Sequence, residues 1–286
     1  MYRHGTNVVK GYRTQDGAGV SLVRVLGAET AEAFDPFLML DSFDSTDPDA
    51  YTAGFPLHPH RGIETVIYLA QGTIKHSDTM GFSDAIHDGE VQWMCAGSGV
   101  EHEEQIPAAK RLLGIQLWLN LPAAEKMSHP YYHAIHAGDI ETINPSEGVK
   151  LRLLAGSYTD PEGTKHEGYE GQHLPLDYYE ITLEPGTSLS VPVNQDASVM
   201  AFTLEGPATI GGLPIGPKTA IKLEDGDEVE LKADADSPSR ILFLASRAFH
   251  GPIAWGGPIV MNSRSELLDA FHELDRGTFL KEQLEH

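Results

Sequence analysis

Phe55-Pro56-Leu57-His58-Pro59-His60-Arg61-Gly62-Ile63-Glu64-Thr65-Val66-Ile67-Tyr68-Leu69 carries two signals in one short stretch. Its second part, from Ile63 to Leu69, is β-branched and aromatic, the composition of a strand that packs on a pleated surface. Its first part sets His58 and His60 two residues apart. In an extended chain alternate side chains share a face, so both imidazoles point the same way. Short apolar stretches of this kind, punctuated by Gly, Pro and Asp, recur at 91–94, 112–121, 150–154, 178–183, 199–204, 228–231 and 241–244. That spacing predicts an all-β sandwich or barrel.

The same alternation applied to His102-Glu103-Glu104 puts His102 and Glu104 on one face and Glu103 on the other. Two strands that each turn two such groups into a barrel interior build a three-histidine, one-carboxylate set. Mixed nitrogen and oxygen donors suit a divalent transition metal such as iron, manganese, copper, nickel or zinc, whereas calcium and magnesium prefer oxygen alone. Spacing by itself leaves open that the four side chains are separately solvated or hydrogen-bonded.

Further out, the chain repeats itself weakly. The stretch from Val66 to Gly72 resembles the stretch from Met200 to Gly206 at an offset of 134, and Asp88 to Val91 resembles Asp225 to Val229 at an offset of 137. Two matches in the same order suggest duplicated β units. Residues 1–125 are expected to form the first, 126–140 a connector, and 141–286 the second. The offsets carry His58 and His60 onto Pro192 and Asn194, and His102 and Glu104 onto Ser239 and Ile241. The second unit is therefore expected to lack the metal ligands. One short helix is predicted near the end, where Ser263 and Glu266 form a capping box before Leu267, Leu268, Phe271 and Leu274, and Gly277 supplies the stop.

Composition narrows the function. The 286 residues are 41% hydrophobic and 22% charged, ordinary for a folded protein, but 42 acidic against 20 basic residues give a net charge of −22. The acidic excess runs through both halves, and no Lys/Arg stripe interrupts it. Direct nucleic-acid binding and attraction to an anionic membrane both need clustered cations, so neither is expected. One cysteine, Cys95, excludes an intrachain disulfide and a four-cysteine zinc site and suits a reducing compartment. With no long apolar run and no hydrophobic stretch over Met1 to Gly17, the chain reads as cytoplasmic. Leu284-Glu285-His286 reads as the stub of a vector-encoded histidine tag and is given no function.

Three blocks now carry a resemblance: Gly54 to Leu69 around the His58/His60 pair, Val91 to His102, and Leu113 to Leu121; a fourth lies at Gly257 to Asn262. In order and nearly over the whole chain, these are similar to the signature blocks of the pirin family within the cupin superfamily. The resemblance implies a bicupin: two cupin barrels of the double-stranded β-helix, or jelly-roll, type, with one metal in the first. It implies His58, His60, His102 and Glu104 as ligands, the positions that alternation had selected. Fe(II) is the metal it implies, with manganese, copper, nickel, cobalt or zinc able to occupy such a site. General cupins carry a ligand glutamate shortly after the histidine pair, and Glu64 stands near that slot. The resemblance to pirins assigns the ligand to Glu104 and leaves Glu64 a supporting residue. Cys95 replaces a proline common in the second cupin motif and reads as a small core residue.

The other histidines carry less. His129, His133 and His136 read as a solvated connector, and His76 is balanced between a pocket mouth and the surface. Gly97-Ser98-Gly99 lacks the strand–elbow–helix setting of a hydrolase nucleophile. Some bacterial members of the family resemble quercetin 2,3-dioxygenases, so the resemblance implies a flavonol and dioxygen as substrates, release of carbon monoxide, and Glu104 either staying a ligand or taking the 3-hydroxyl proton. The alternative is a non-enzymatic, metal- and redox-responsive regulator acting through protein partners. A monomer is expected.

Overall fold

The computed structural model describes residues 1–282; Leu284-Glu285-His286 lie outside the described residues. The chain is all-β apart from one α-helix and three single-turn 3₁₀ segments among the described residues, and it divides into two compact units. Neither is continuous in sequence. One comprises Arg13–Glu29, Phe37–Ala137 and the chain from Phe249 onward, and the other Met1–Tyr12, Thr30–Pro36 and Gly138–Ala248.

The unit that holds the histidine pair, called the histidine barrel below, faces a seven-stranded sheet against a four-stranded one. Across the larger sheet the strands run Tyr131–Ile135, Val91–Cys95, Ile63–Gln71, Leu112–Asn120, Phe37–Ser45, Val20–Leu26 and Tyr12–Asp16. The smaller runs Phe55–His60, Val100–Gln105, Ile74–Asp78 and Ser83–Ile86. Ile63–Gln71 and Leu112–Asn120 are the central pair and are buried along almost their whole length, as their β-branched, near-continuous apolar sequences require. Phe43, Phe55, Ile67, Leu69, Ile74 and Ile86 pack into one core, in which the Phe55 ring lies 6.5 Å from that of His58.

The second unit repeats this plan strand for strand. Its larger sheet runs His4–Lys10, Thr219–Glu224, Ala197–Glu205, Ser239–Arg247, Leu176–Leu183, Val149–Ala155 and Glu141–Ser146. Its smaller sheet runs Ser188–Pro192, Glu228–Ala233, Ala208–Ile210 and Leu213–Ile215. The weak repeat in sequence thus marks Ile63–Gln71 and Ala197–Glu205, which hold the same place in the two sheets.

Three segments differ from expectation. The strand His4–Lys10 pairs with Thr219–Glu224 and so closes the second barrel rather than the first. Arg3 fastens it there: its buried guanidinium donates to the carbonyls of Gly226, Ala197, Leu223, Asn194 and Gln195. The stretch read as a connector supplies the edge strand Tyr131–Ile135, paired with Val91–Cys95 from Tyr131↔Cys95 to Ile135↔Val91. And the helix Arg264–Arg276 belongs to the histidine barrel, where Leu267, Phe271 and Leu274 pack with Ile259, Met261 and Phe279, while Leu268 stays exposed. Its ends are as read: Ser263 accepts from the Glu266 amide, and Gly277 turns left-handed at φ 67°. No helix among the described residues is long and apolar enough to cross a membrane.

Candidate metal centre

Strand register brings His58 and His102 together. Along Val100–Gln105, His102 stands opposite His58 on one neighbour and Asp78 on the other, while Glu104 stands opposite Phe55 and His76. A bulge between His102 and Glu104 absorbs the extra residue on the Phe55–His60 side. His58, His60 and His102 each offer a ring nitrogen within 4.8 Å of the others. Their ring centroids are 4.4 to 5.0 Å apart.

Hydrogen bonding sets which nitrogen each ring presents. His58 Nδ1 donates to the Pro56 carbonyl at 2.7 Å and His60 Nδ1 to the Pro258 carbonyl at 3.1 Å. Each Nε2 is therefore left as a lone pair. For His102 a relay does the same. Asp78 Oδ1 accepts from the Met80 and Phe82 amides, and Oδ2 accepts from His76 Nε2 at 2.9 Å. In a neutral His76, Nδ1 is then an acceptor, and His102 Nδ1 faces it at 3.4 Å. His60 and His102 are neutral imidazoles. Burial first, and then the neighbouring rings, hold His102 far below the ordinary histidine range and His60 down at about 3.

The Nε2 atoms of His60 and His102 are buried and make no hydrogen bond. A buried acceptor without a partner is costly, and two that converge with a third histidine are a fit for a divalent metal ion. Glu104 is placed differently from the trio. Its carboxylate lies 3.6 Å from His102 Nδ1 and forms a second group with His102 and His76. Gln92 donates to Oε1 at 3.0 Å and Gln116 to Oε2 at 3.4 Å. Burial raises the Glu104 pKa above its usual range, against the pull of the nearby histidines and the two amides.

Glu64 points elsewhere. Its carboxylate accepts from Trp93 Nε1 and the Tyr131 hydroxyl, and burial pushes its pKa up to about 7. Cys95 is wholly buried, and burial drives its thiol pKa upward, the setting of an inert core cysteine. His133 is exposed, and His136 reaches Glu90 at 3.3 Å. His76, which the sequence left undecided, is buried and stacked on Tyr132 at 4.4 Å. Its signal was present: His76-Ser77-Asp78 repeats the two-residue spacing of the other pairs.

In the second barrel the matching sheet turns Leu189, Val191, Val229 and Leu231 into a hydrophobic core, with Leu189 paired to Leu231 and Val191 to Val229. The constant offsets had pointed instead to Pro192 and Asn194, at and just past the end of Ser188–Pro192, and to Ser239 and Ile241 in the following strand Ser239–Arg247, because the loops between the repeated strands differ in length.

Family models for pirin match residues 19–119, and for the pirin C-terminal cupin domain residues 178–280. The chain belongs to the pirin family. A pirin-like protein of Caulobacter vibrioides is 39% identical over 273 residues, covering 95% of this chain and 97% of that one. Human pirin is 32% identical over 261 residues, covering 89% and 86%. The crystal structure of a quercetin 2,3-dioxygenase from Acinetobacter baumannii superposes with a TM-score of 0.88 at 30% identity, covering 98% of this chain and 99% of that one. The two repeated units are thus the two cupin barrels of a pirin.

Proposed function

We propose that this pirin is a metal-dependent dioxygenase that cleaves flavonols such as quercetin with dioxygen and releases carbon monoxide. The metal-binding residues are His58, His60, His102 and Glu104, and the metal is Fe(II). The observation that carries the reading is the convergence of three histidine rings, two of them with buried, unpartnered Nε2 atoms. The similarity to a solved quercetin 2,3-dioxygenase supplies the substrate class.

Bound there, a divalent transition metal supplies Lewis-acid polarisation of a substrate oxygen and redox access to dioxygen. The remaining work falls to the chain. Glu104, with its pKa raised by burial, takes the proton of the flavonol 3-hydroxyl on a carboxylate oxygen. Gln92 and Gln116 hold that carboxylate in place from the opposite sheet. Asp78 and His76 keep the Nδ1 proton of His102 engaged, so that its Nε2 stays a lone pair. The largely apolar barrel around them limits access of water to the deprotonated flavonol.

Aerobic loss of quercetin absorbance tests the proposal. Protein freed of any histidine tag and loaded with Fe(II) is expected to consume quercetin and evolve carbon monoxide, while His58→Ala does neither. Equal rates for the two proteins, or no turnover with any divalent metal, would sink it.

A further inference from the structure

One row of side chains crosses the larger sheet of the histidine barrel. By strand register Tyr132 stands opposite Met94, Met94 opposite Thr65, Thr65 opposite Trp118, and Trp118 opposite Met39. Directly opposed residues share a face of the sheet, so the five side chains line one face. That face is the one turned to the histidines. Trp118 meets the His60 ring edge-on at 5.0 Å, and Tyr132 stacks on His76 at 4.4 Å.

The polar atoms of this row are unused. Thr65 Oγ1, Trp118 Nε1 and Tyr132 Oη are each buried with no hydrogen-bond partner. Leaving such a group buried and unpaired is costly unless something meets it. The next row behaves differently: the Gln92 and Gln116 amides donate to Glu104, and Asp41 accepts from Arg24. The second barrel provides an internal control. There Val199 stands opposite Leu223 and Ala245, in the register places of Thr65, Met94 and Trp118, and all three belong to an apolar core. Hydrogen-bonding capacity in this row is therefore no requirement of the fold.

We propose that Trp118, Thr65 and Tyr132 are a substrate-recognition row, which meets the oxygen substituents of a flat, elongated, polyoxygenated aromatic molecule while Met39 and Met94 pack on its rings. This rests on the flavonol reading above and adds which residues read the substrate. From Trp118 to Tyr132 are three inter-strand spacings, ~14 Å in all. That span suits fused rings with a pendant ring and exceeds a single ring. The thioethers of Met39 and Met94 adapt to flat apolar surfaces. The Tyr132 end adjoins the surface, where Tyr132 stacks in turn on Phe82, which is 43% exposed.

The test pairs variants that each remove one polar atom with a ligand series. Thr65→Val, Tyr132→Phe and Trp118→Phe are each loaded with Fe(II) after their metal content is matched to the parent protein. Binding of quercetin, and of flavonols lacking one ring hydroxyl at a time, is read anaerobically from the flavonol absorbance shift. Each variant is expected to bind quercetin about 5- to 10-fold more weakly, the loss typical of one hydrogen bond. It is expected to show no loss with the analogue that lacks its partner oxygen. Losses equal across all analogues, losses under twofold, or no flavonol binding by the parent protein would overturn the row. Turnover is measured separately: coupling without turnover retains the row and removes the dioxygenase reading, and turnover without coupling does the reverse.

Discussion

Asp78 touches none of the three clustered histidine rings, yet the protonation of His102 passes through it. An ionised carboxylate can only accept, so in a neutral His76 it leaves Nδ1 to accept from His102. Replacing it by asparagine, which offers an N–H of its own, frees that constraint. Asp78→Asn is expected to weaken metal binding about 10- to 100-fold, measured by competition with a chelating indicator. An unchanged affinity would show that His102 needs no relay. Glu64 gives a second prediction. Its folded pKa, about 7, lies above the usual carboxylate value, so the folded state holds the extra proton. Stability is therefore highest below the unfolded pKa and falls as pH rises through that window to about 7. The parent protein should lose on the order of 3 kcal/mol more than Glu64→Gln between pH 4.5 and 8 in urea melts. Parallel pH profiles would disprove the assignment. At this scale the two histidine–histidine and histidine–glutamate pairs were legible because strand alternation is local. Gln92, Gln116 and Trp118 were not, since they reach the site only through pairing with distant strands.

Between the strands Phe55–His60 and Ile63–Gln71 the chain turns at Arg61 and Gly62, and the turn is locked from three sides. Gly62 has φ 76°, and a Cβ there would lie 2.0 Å from the Val260 carbonyl. Lys126, buried, donates to the carbonyls of Gly62 and Val260 and to Asn120. Arg61 donates to Ser98, Glu273 and Phe279 and lies over the Phe279 ring. Gly62→Ala is accordingly expected to cost upwards of ~2 kcal/mol, combining backbone strain with the displaced carbonyl, and to weaken metal binding because His60 is two residues away. Chemical denaturation and metal titration together check it; a loss of stability with full affinity would separate the turn from the site. The helix Arg264–Arg276 could be read to the residue, because its capping side chains are sequence neighbours of the turns they cap. The strand Tyr131–Ile135 could not. Only Ile135 is fully buried, so the strand lacks a marked apolar alternation, and its partner lies some forty residues earlier.

At the scale of the molecule, the all-β class and the duplication were visible in recurring short strands and in two glycine turns. The exchange of chain ends between the units was not. Pairing of His4–Lys10 with Thr219–Glu224 leaves no local mark in either segment. A fragment of residues 1–125 accordingly lacks the Pro258 carbonyl that holds His60 and both acceptors of Arg61 beyond residue 270. It is expected to be aggregated or partly unfolded and to retain no metal, by size-exclusion chromatography and metal analysis. A soluble, metal-loaded fragment would contradict this. For the full chain, metal at ~100 times its dissociation constant should stabilise by about 2.7 kcal/mol, seen as a rise in melting temperature that His60→Ala does not show.

The closing strand His4–Lys10 also imposes an order on synthesis. It leaves the ribosome some two hundred residues before its partner. At ~5–20 residues per second the wait is ~10 s or more. An unpaired strand edge is an invitation to aggregate over such a time. His4-Gly5-Thr6-Asn7-Val8-Val9-Lys10 is mostly polar and ends in a lysine, and even in the folded barrel it stays largely exposed. The segment that must wait longest is thus one that water tolerates.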